Sequence, residues 1–269
     1  MIIFKSIKIL NKKVNFTNNV GFVPTMGALH KGHVSLIKKS KLICNKTIVS
    51  IFINRAQFNK IGDYKKYPRY LSKDIKILKQ LNVDYLLLPE EKDIFKSKKQ
   101  MKIKINNNDK VMCAKYRPGH FEGVLAVINQ FLSFMKPRYI FLGEKDYQQI
   151  YLIKKYLSKK YNTKIFKCKT IRLNKALPYS SRNLLLKKNE LLLANEISLM
   201  IKKIFSTYRN SYSNIKQLNK IKSEILKKKI KLEYLELRNK FDLSKKINKK
   251  NVKIFISYYV NKVRLIDNY

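Results

Sequence analysis

The sequence predicts an α/β protein, a Rossmann-like doubly wound parallel sheet with a second, smaller α+β C-terminal domain. In residues 1–170, short apolar runs alternate with amphipathic stretches, which is the strand and helix order of a parallel sheet. All seven glycines lie at or before Gly143, and Pro178 is the only proline after it, so turns and ligand loops concentrate in the first part. We therefore expect one domain at 1–170 and a smaller one at 171–269.

Strands and helices alternate along the whole first domain. Residues 20–23 form a short apolar run before a glycine-containing loop, and an amphipathic helix at 32–44 and a β-branched strand at 46–53 complete the first unit. The alternation continues with a helix at 71–81, a strand at 85–88, a helix at 122–135, a strand at 139–142, a helix at 147–160 and a strand at 163–168.

The second domain has a different pattern. Lysine-rich amphipathic helices occupy the stretch between Lys187 and Lys229, and two strands, at 232–237 and 252–259, close the chain. We interpret this part as a small α+β lid domain.

The formal charge of +43 is the most unusual feature of the composition. It is compatible with a nucleic-acid partner, but the lysines are spread along the chain, and an electrostatic footprint requires clustering. We therefore favour a solvated surface without a specific nucleic-acid partner, and RNA binding is the alternative. No apolar stretch is long enough for a membrane span and no signal peptide is recognisable, so we expect a cytoplasmic protein. Cys44, Cys113 and Cys168 form no metal-binding or disulfide pattern and are expected to be free thiols.

Two histidines lie where a predicted strand passes into a predicted helix. His30 and His33 flank Lys31 and Gly32, so both imidazoles should project near a helix N-terminus, where free N–H groups and the helix dipole attract phosphate. The alternative is a pair of surface histidines without a ligand.

Other candidate residues also follow predicted strands or turns. Gln57 lies past the carboxyl end of the strand at 46–53, and Lys145 lies past the strand at 139–142, although both could be solvated loop residues. Ser180 and Ser181 offer hydroxyls near the domain boundary, and the alternative for them is a helix N-cap. Asp74 is a possible Mg²⁺ contact or simply a surface charge.

Arg117 and His120 have two interpretations. They flank a Pro-Gly turn at the start of a predicted helix, and this turn explains the segment without a ligand. A place beside the site is the other interpretation.

Several of these segments together resemble one family. The stretch Phe22-Val-Pro-Thr-Met-Gly-Ala-Leu-His-Lys-Gly-His-Val-Ser-Leu36 is similar to the signature of pantothenate synthetases, members of the H-I-G-H nucleotidyltransferase-like superfamily. Further segments match this family in the same order: Val49-Ser-Ile-Phe-Ile-Asn54 with Gln57-Phe58, Tyr67-Pro-Arg69, Arg117-Pro-Gly-His-Phe-Glu-Gly-Val124, Phe141-Leu-Gly-Glu-Lys-Asp146 with Gln148-Gln149, Ser180-Ser-Arg-Asn183 and Arg264-Leu-Ile-Asp-Asn268.

The resemblance implies an ATP-dependent ligase that condenses (R)-pantoate with β-alanine through a pantoyl adenylate, releasing AMP and pyrophosphate. It implies ATP as a substrate, Mg²⁺, and a homodimer. His33, His30 and Lys145 would be catalytic, with His33 as proton donor, and Gln57 and Gln149 would bind pantoate or β-alanine. The residues implied for ATP are Met26, Gly27, Ala28, Leu29, His30, Lys31, Gly32, His33, Gly143, Glu144, Lys145, Asp146, Ile171, Tyr179, Ser180, Ser181 and Arg182.

The chain departs from the family pattern at three places. Arg55 stands where the family has proline, Met112-Cys-Ala114 replaces Leu-Glu-Gly, and Lys175-Ala-Leu-Pro-Tyr179 replaces Asp-Gly-Leu-Ala-Met. We expect these changes to affect loops rather than the residues that touch substrate. A different nucleotidyltransferase of the superfamily is the second functional hypothesis.

Overall fold

The computed structural model describes residues 1–16, 19–211, 215–228 and 230–269. The chain divides into two units, Met1–Lys169 and Thr170–Tyr269. Within the described residues, no helix is both long and apolar enough to cross a membrane.

A six-stranded parallel sheet is the centre of the first unit. Its strands lie in the order β1-β4-β3-β2-β5-β6. The strands are β1 (Ile2–Phe4), β2 (Val20–Thr25), β3 (Lys46–Ile51), β4 (Tyr85–Leu87), β5 (Tyr139–Gly143) and β6 (Lys164–Cys168). The helices are α1 (Ile7–Lys13), α2 (Lys31–Ile43), α3 (Ile61–Lys66), α4 (Leu71–Gln80), α5 (Glu91–Ile94), α6 (Met112–Tyr116), α7 (His120–Met135) and α8 (Tyr147–Leu157).

Helices cover both faces of this sheet. Phe22 of β2 packs against Phe131 of α7, with 5.3 Å between ring centroids. The next residue, Val23, lies in a core cluster with Leu36 and Ile37 of α2. Because successive side chains of a strand point to opposite faces, an apolar run such as this one requires helices on both sides.

The strand order reverses at β2, which has β3 on one side and β5 on the other. In open α/β sheets, ligands bind outside the carboxyl ends of the strands at such a switch point. β2 ends at Thr25 and β5 ends at Gly143. The segments that follow them, 26–33 and 144–146, therefore occupy the place where this topology binds ligands.

The second unit is built on a three-stranded antiparallel sheet with the order β11-β10-β9. Its elements are β7 (Arg172–Leu173), β8 (Leu177–Pro178), α9 (Lys188–Ser211), α10 (Ile215–Lys227), β9 (Lys231–Asn239), β10 (Val252–Val260) and β11 (Val263–Asn268). Buried residues recur at spacings of three and four on α9 and at every second position on β10: Ala194, Ile197 and Ile201, and Ile254, Ile256 and Tyr258. Each element thus presents one apolar side to a common core.

Arg172 joins the beginning of the second unit to its end. Its guanidinium donates to both carboxylate oxygens of Asp267, at 2.8 and 2.9 Å, and to the Tyr269 hydroxyl at 2.9 Å. The Asp267 side chain is buried. A two-pronged, buried pair of this kind is geometrically specific, so it fixes β7 against the last strand of the chain.

The predicted α/β fold class is confirmed. All nine helices and strands predicted for the first domain are present, with bounds shifted by three residues or fewer. β1 and α1, before Val20, had no prediction, because three strand residues at a sheet edge are too few to show a period. The predicted helix end at Lys229 lies outside the described residues.

The prediction that two strands close the chain is wrong. A third strand, β11, pairs with β10 after a two-residue turn, Asn261 and Lys262. Asn261 has a φ of 53° and supplies the left-handed conformation for which glycine is the usual sequence signal. Because no glycine marks this turn, the sequence does not predict it.

The hairpin β7–β8 uses a similar turn. Asn174 and Lys175 have φ angles of 47° and 61°, and the N–H of Ala176 donates to the carbonyl of Leu173 at 3.0 Å. Positive φ at both central residues is the pattern of a type I′ turn, for which Asn-Gly is the preferred pair. Lys175 occupies the position that favours glycine.

We predict that Lys175→Gly raises the free energy of unfolding by about 0.5 to 1 kcal/mol, because it removes left-handed strain that exceeds the entropy cost of glycine. Urea denaturation followed by circular dichroism measures the change. Lys245→Gly is the matched control, since Lys245 is an exposed lysine of the same unit without a positive φ. That control should lower stability, and an equal decrease in both variants would contradict the strain at Lys175.

Candidate active site

Two imidazole rings lie side by side after β2. His30 is the N-cap of α2, and His33 lies in the first turn of the same helix. Their ring centroids are 4.0 Å apart and their planes differ by 32°. Both residues are partly buried, and their role toward a ligand stays a prediction.

Main-chain hydrogen bonds fix the tautomer of both rings. The Nδ1 atom of His30 accepts from the N–H of Gly32 at 3.1 Å, and the Nδ1 atom of His33 accepts from the N–H of His30 at 3.3 Å. Because each Nδ1 is an acceptor, the proton of each neutral ring is on Nε2. Each ring therefore presents a donor, and not an acceptor, at Nε2.

The surroundings keep both rings neutral at pH 7. Burial, the neighbouring His33 ring and the Lys145 ammonium lower the pKa of His30 to about 2. Burial and Lys145 lower the pKa of His33 to about 4, although Asp146 opposes the shift. The expectation that His33 gives away a proton stays a prediction. In the neutral ring, Nε2–H is a hydrogen-bond donor.

A buried carboxylate supports the loop that precedes the histidines. Gly27 and Ala28 have φ angles of 77° and 48°. Asp74, which is 2% exposed, accepts from the N–H groups of Ala28 at 2.8 Å and Leu29 at 2.7 Å. The two charge-assisted bonds hold Ala28 in a left-handed conformation that alanine otherwise avoids.

The surface-charge alternative for Asp74 is therefore wrong. Burial raises the pKa of its carboxyl, and the bonds from Leu29 and Ala28 limit that rise. Both oxygens are already engaged by main-chain amides, while a contact with Mg²⁺ stays a prediction. Within the described residues, no group of three or more His, Cys, Asp or Glu side chains could hold a metal ion.

The amides of the loop are directed mainly into the protein. The N–H of Gly27 donates to the Thr25 hydroxyl at 3.2 Å, and those of Ala28, Leu29, His30 and Gly32 donate to Asp74 or to the two rings. The expectation that free N–H groups here bind phosphate is therefore wrong for these five amides. The Nε2–H groups of the two rings take no part in these five bonds.

Lys145 supplies positive charge beside the two rings. It lies in a short turn, Glu144–Asp146, directly after β5. Its side chain is 18% exposed, and its ammonium is 3.2 Å from Oδ1 of Asp146. The alternative of a solvated surface lysine is therefore wrong. A Cβ added to Gly143 would meet nothing within 4 Å, so the backbone before this turn borders open space.

Gln57 contacts the first residue of the loop, Met26. It ends the short turn Arg55–Gln57, is 7% exposed, and its side-chain amide contacts the sulfur of Met26. The alternative of a solvated loop glutamine is wrong. Gln149 is partly buried in the first turn of α8, and its role as a ligand contact stays a prediction.

Arg117 and His120, for which the sequence left two interpretations, contact Gln57. The carbonyl of Gln57 accepts from Nδ1 of His120 at 2.7 Å and from Nη2 of Arg117 at 3.4 Å. The Pro-Gly turn explains the start of α7 at His120, two residues earlier than predicted, because Gly119 has a φ of 81°. The turn also brings these two side chains to the site.

The remaining candidates lie in the second unit, where they cluster around one hairpin. The N–H of Tyr179 donates to the carbonyl of Ile171 at 3.0 Å, which extends the β7–β8 pairing. Ser180 caps the short turn Ser181–Leu185, as the N-cap alternative expects, by accepting from the N–H of Arg182 at 3.3 Å. Ser181 is buried. Capping by Ser180 leaves a contact of this segment with ATP as a prediction.

The departures from the family pattern are accommodated locally. The guanidinium of Arg55 lies 5.2 Å from the centroid of the Tyr64 ring, and Oδ1 of Asn54 caps the turn that contains it. Cys113 and Ala114 are buried in α6. None of the three cysteines forms a disulfide, and all three are buried. Burial raises the pKa of Cys168 to about 11.

Comparison with known proteins gives one consistent result. A sequence model described as pantoate-β-alanine ligase matches residues 3–269. The pantothenate synthetase of Francisella tularensis subsp. novicida is 42% identical over the whole of this chain and 97% of its own length. That of Francisella tularensis subsp. mediasiatica is 43% identical over 93% of this chain and 88% of its own.

Solved structures agree with these sequence matches. A pantoate-β-alanine ligase from Francisella tularensis, crystallised with β-γ ATP and β-alanine, has a TM-score of 0.87 at 39% identity, covering 100% of this chain and 97% of that one. A pantothenate synthetase from Thermus thermophilus has a TM-score of 0.91 at 25% identity, covering 100% and 99%.

We predict that Asp74→Asn lowers the free energy of unfolding by roughly 1 to 3 kcal/mol, because an asparagine amide faces one of the two loop N–H groups with another donor. Urea denaturation in EDTA measures this loss without any metal. Asp84→Asn is the control, since Asp84 lies at the opposite end of the strands and accepts from one main-chain amide, that of Thr47, as well as from the Lys46 ammonium. Unchanged stability of Asp74→Asn would contradict the supporting role.

We predict that acid destabilises the protein through the two rings. The pKa values of about 2 and 4 in the folded chain lie below 6.5, so only the unfolded chain takes up these protons as pH falls through 6.5. Stability should therefore decrease from pH 7 to pH 5, by at most roughly 2 kcal/mol for each ring.

A double variant, His30→Asn with His33→Asn, isolates this effect, because each asparagine oxygen replaces an Nδ1 acceptor and does not titrate. Urea midpoints at pH 7 and pH 5 should differ less in the variant than in the wild type. An equal acid response in both proteins would show that the rings are not responsible.

Proposed function

The chain belongs to the pantoate-β-alanine ligase family, and on that premise we propose that it condenses (R)-pantoate with β-alanine through a pantoyl-adenylate intermediate. ATP is consumed, and AMP and pyrophosphate are released. The observation that carries this proposal is the convergence at the sheet's switch point of two neutral Nε2–H donors, one half-buried ammonium and one buried glutamine.

In the first step, the pantoate carboxylate attacks the α-phosphorus of ATP. A P–O bond forms to the carboxylate oxygen, and the bond to the pyrophosphate oxygen breaks. Gln57 and Gln149 orient pantoate, and the loop 26–33 with Gly143–Asp146 holds the nucleotide. Holding both reactants at one sheet edge supplies proximity, which is the main requirement when no enzyme nucleophile takes part.

The histidines and Lys145 stabilise the charge that develops on the departing pyrophosphate. Neutral Nε2–H donors bind phosphate oxygens without adding a second and third buried cation beside Lys145. The reciprocal bonds at Nδ1 hold the rings in this orientation before ATP arrives, so little reorganisation is needed during the reaction.

In the second step, the amine of β-alanine attacks the activated carbonyl. A C–N bond forms, AMP leaves with the electron pair of the C–O bond, and the proton of the attacking amine passes to solvent. Support for β-alanine as the amine comes from the Francisella ligase, which was crystallised with β-γ ATP and β-alanine.

We propose that Mg²⁺ enters with the triphosphate. One or two carboxylates with phosphate oxygens and waters are its usual ligands, and Asp146, 46% exposed beside Lys145, offers such a carboxylate. Asp74 is a weaker candidate because both its oxygens accept from amides. When bound, the ion neutralises phosphate charge.

The remaining parts of the proposal concern the second unit and the setting. We propose that Ile171, Tyr179, Ser180, Ser181 and Arg182 contact ATP, and that the unit acts as a lid. A cytoplasmic homodimer is proposed by resemblance to the family.

An omission assay tests the function. Purified protein with ATP, Mg²⁺, pantoate and β-alanine should produce pantothenate and AMP, and omission of any one component should abolish pantothenate. Pyrophosphate and an adenylyl product with a diphosphate linkage, formed from ATP and an added phosphate-bearing acceptor without pantoate, would instead favour another nucleotidyltransferase. Salt-sensitive RNA binding without any ATP binding would favour the RNA-binding alternative.

We predict that His33→Asn lowers the rate of pyrophosphate release from ATP and pantoate by about 10² to 10³. The asparagine oxygen keeps the bond to the N–H of His30, while the Nε2–H donor is lost. His33→Ala loses both, so it should be equally slow and also less stable. Near-normal pyrophosphate release by folded His33→Asn would exclude the donor role.

A further inference from the structure

The start of α7 is joined to the Gln57 turn by several independent contacts. The amide of Asn54 donates to the carbonyl of Gly123 at 2.9 Å, and that of Asn59 donates to the carbonyl of Pro118. Together with the two bonds from Arg117 and His120 to the Gln57 carbonyl, these contacts bracket the turn on both sides.

Gly123 makes this close approach sterically possible. A Cβ at Gly123 would lie 2.6 Å from the carbonyl oxygen of Ala56 and 2.9 Å from the nitrogen of Gln57. Both atoms belong to backbone and cannot rotate away. The helix and the turn are thus in direct backbone contact, and a side chain at position 123 would displace the turn that carries Gln57.

The donor and acceptor roles of Arg117 and His120 can be assigned from their partners. A carbonyl can only accept, so Nδ1 of His120 carries the proton that it donates to Gln57. Its Nε2 atom then accepts from Nη1 of Arg117 at 2.8 Å. Arg117 therefore sets the tautomer of His120, and His120 holds the main chain of Gln57, whose amide contacts Met26 in the loop before the histidines.

We propose that Arg117 and His120 are positioning residues for pantoate, acting through the main-chain carbonyl of Gln57. This inference rests on the proposed function, in which Gln57 binds pantoate. Neither side chain needs to touch the substrate, because the carbonyl bond fixes the turn that presents the glutamine amide. Gly123 contributes to the same positioning, since it sets how closely α7 packs against the Gln57 turn.

Substitution of His120 by asparagine or by glutamine distinguishes the role of its Nδ1 atom from that of its Nε2 atom. The amide of His120→Asn reaches the place of Nδ1 and can still donate to Gln57, whereas that of His120→Gln reaches the place of Nε2 and meets Arg117 instead. We expect His120→Asn to keep the KM for pantoate within about threefold of wild type. We expect His120→Gln and His120→Ala to raise it about tenfold, with the KM for ATP unchanged.

Gly123→Ala tests the same turn through its packing against α7. The helix propensity of alanine offsets only part of the clash, so stability should fall somewhat, and the Cβ pushes the Ala56 carbonyl and Gln57 away. The KM for pantoate should again rise about tenfold. A purely structural defect would instead lower the active fraction, which reduces kcat and leaves both KM values unchanged, and that result would overturn the proposal.

Calorimetric titration of pantoate in the presence of a nonhydrolysable ATP analogue gives the same ranking without turnover. Weaker pantoate binding by the glutamine, alanine and Gly123→Ala variants, with His120→Asn near wild type, supports the positioning role. Equal pantoate affinity in all variants overturns it, even if the wild type makes pantothenate. Failure of the wild type to make pantothenate concerns the proposed function and is measured separately by turnover.

Discussion

The site depends on how the loop after β2 satisfies its own amides. Five consecutive or near-consecutive N–H groups donate to Thr25, Asp74 or the two histidine rings. Each unsatisfied buried amide would cost free energy, so the loop has little freedom to rearrange. Because two of the acceptors are the Nδ1 atoms of His30 and His33, the same bonds that fold the loop also decide which ring nitrogens face a ligand.

In the proposed reaction, this arrangement means that the rings need not be charged to bind phosphate. Burial is the largest cause of the lowered pKa values of both rings, and the repulsion that a second and a third cation would meet beside Lys145 adds to it. One ammonium with two neutral donors provides charge and directed hydrogen bonds at once. The ammonium gives attraction, and the rings give orientation.

The sequence was sufficient for the fold class and for the residues at the carboxyl ends of strands. His30, Gln57 and Lys145 each follow an apolar run, and parallel strands bring such positions to one edge. The sequence did not predict which residues hold these three in place. Asp74 lies 46 residues from Ala28 and His120 lies 63 residues from Gln57, and pairings across such distances leave no local period in a single sequence. The family match gave the segment around His120 but not its physical role.

The charge of +43 also shows why composition is a weak guide to this site. Exposed charges more than about 10 Å apart are largely screened at ordinary ionic strength, whereas a half-buried charge is screened much less. Lys145, with 18% of its side chain exposed, acts at short range on both histidine rings. Its influence comes from burial and from its place after β5, which no count of lysines reveals. One lysine at a switch point therefore bears more on the chemistry than the many that cover the surface.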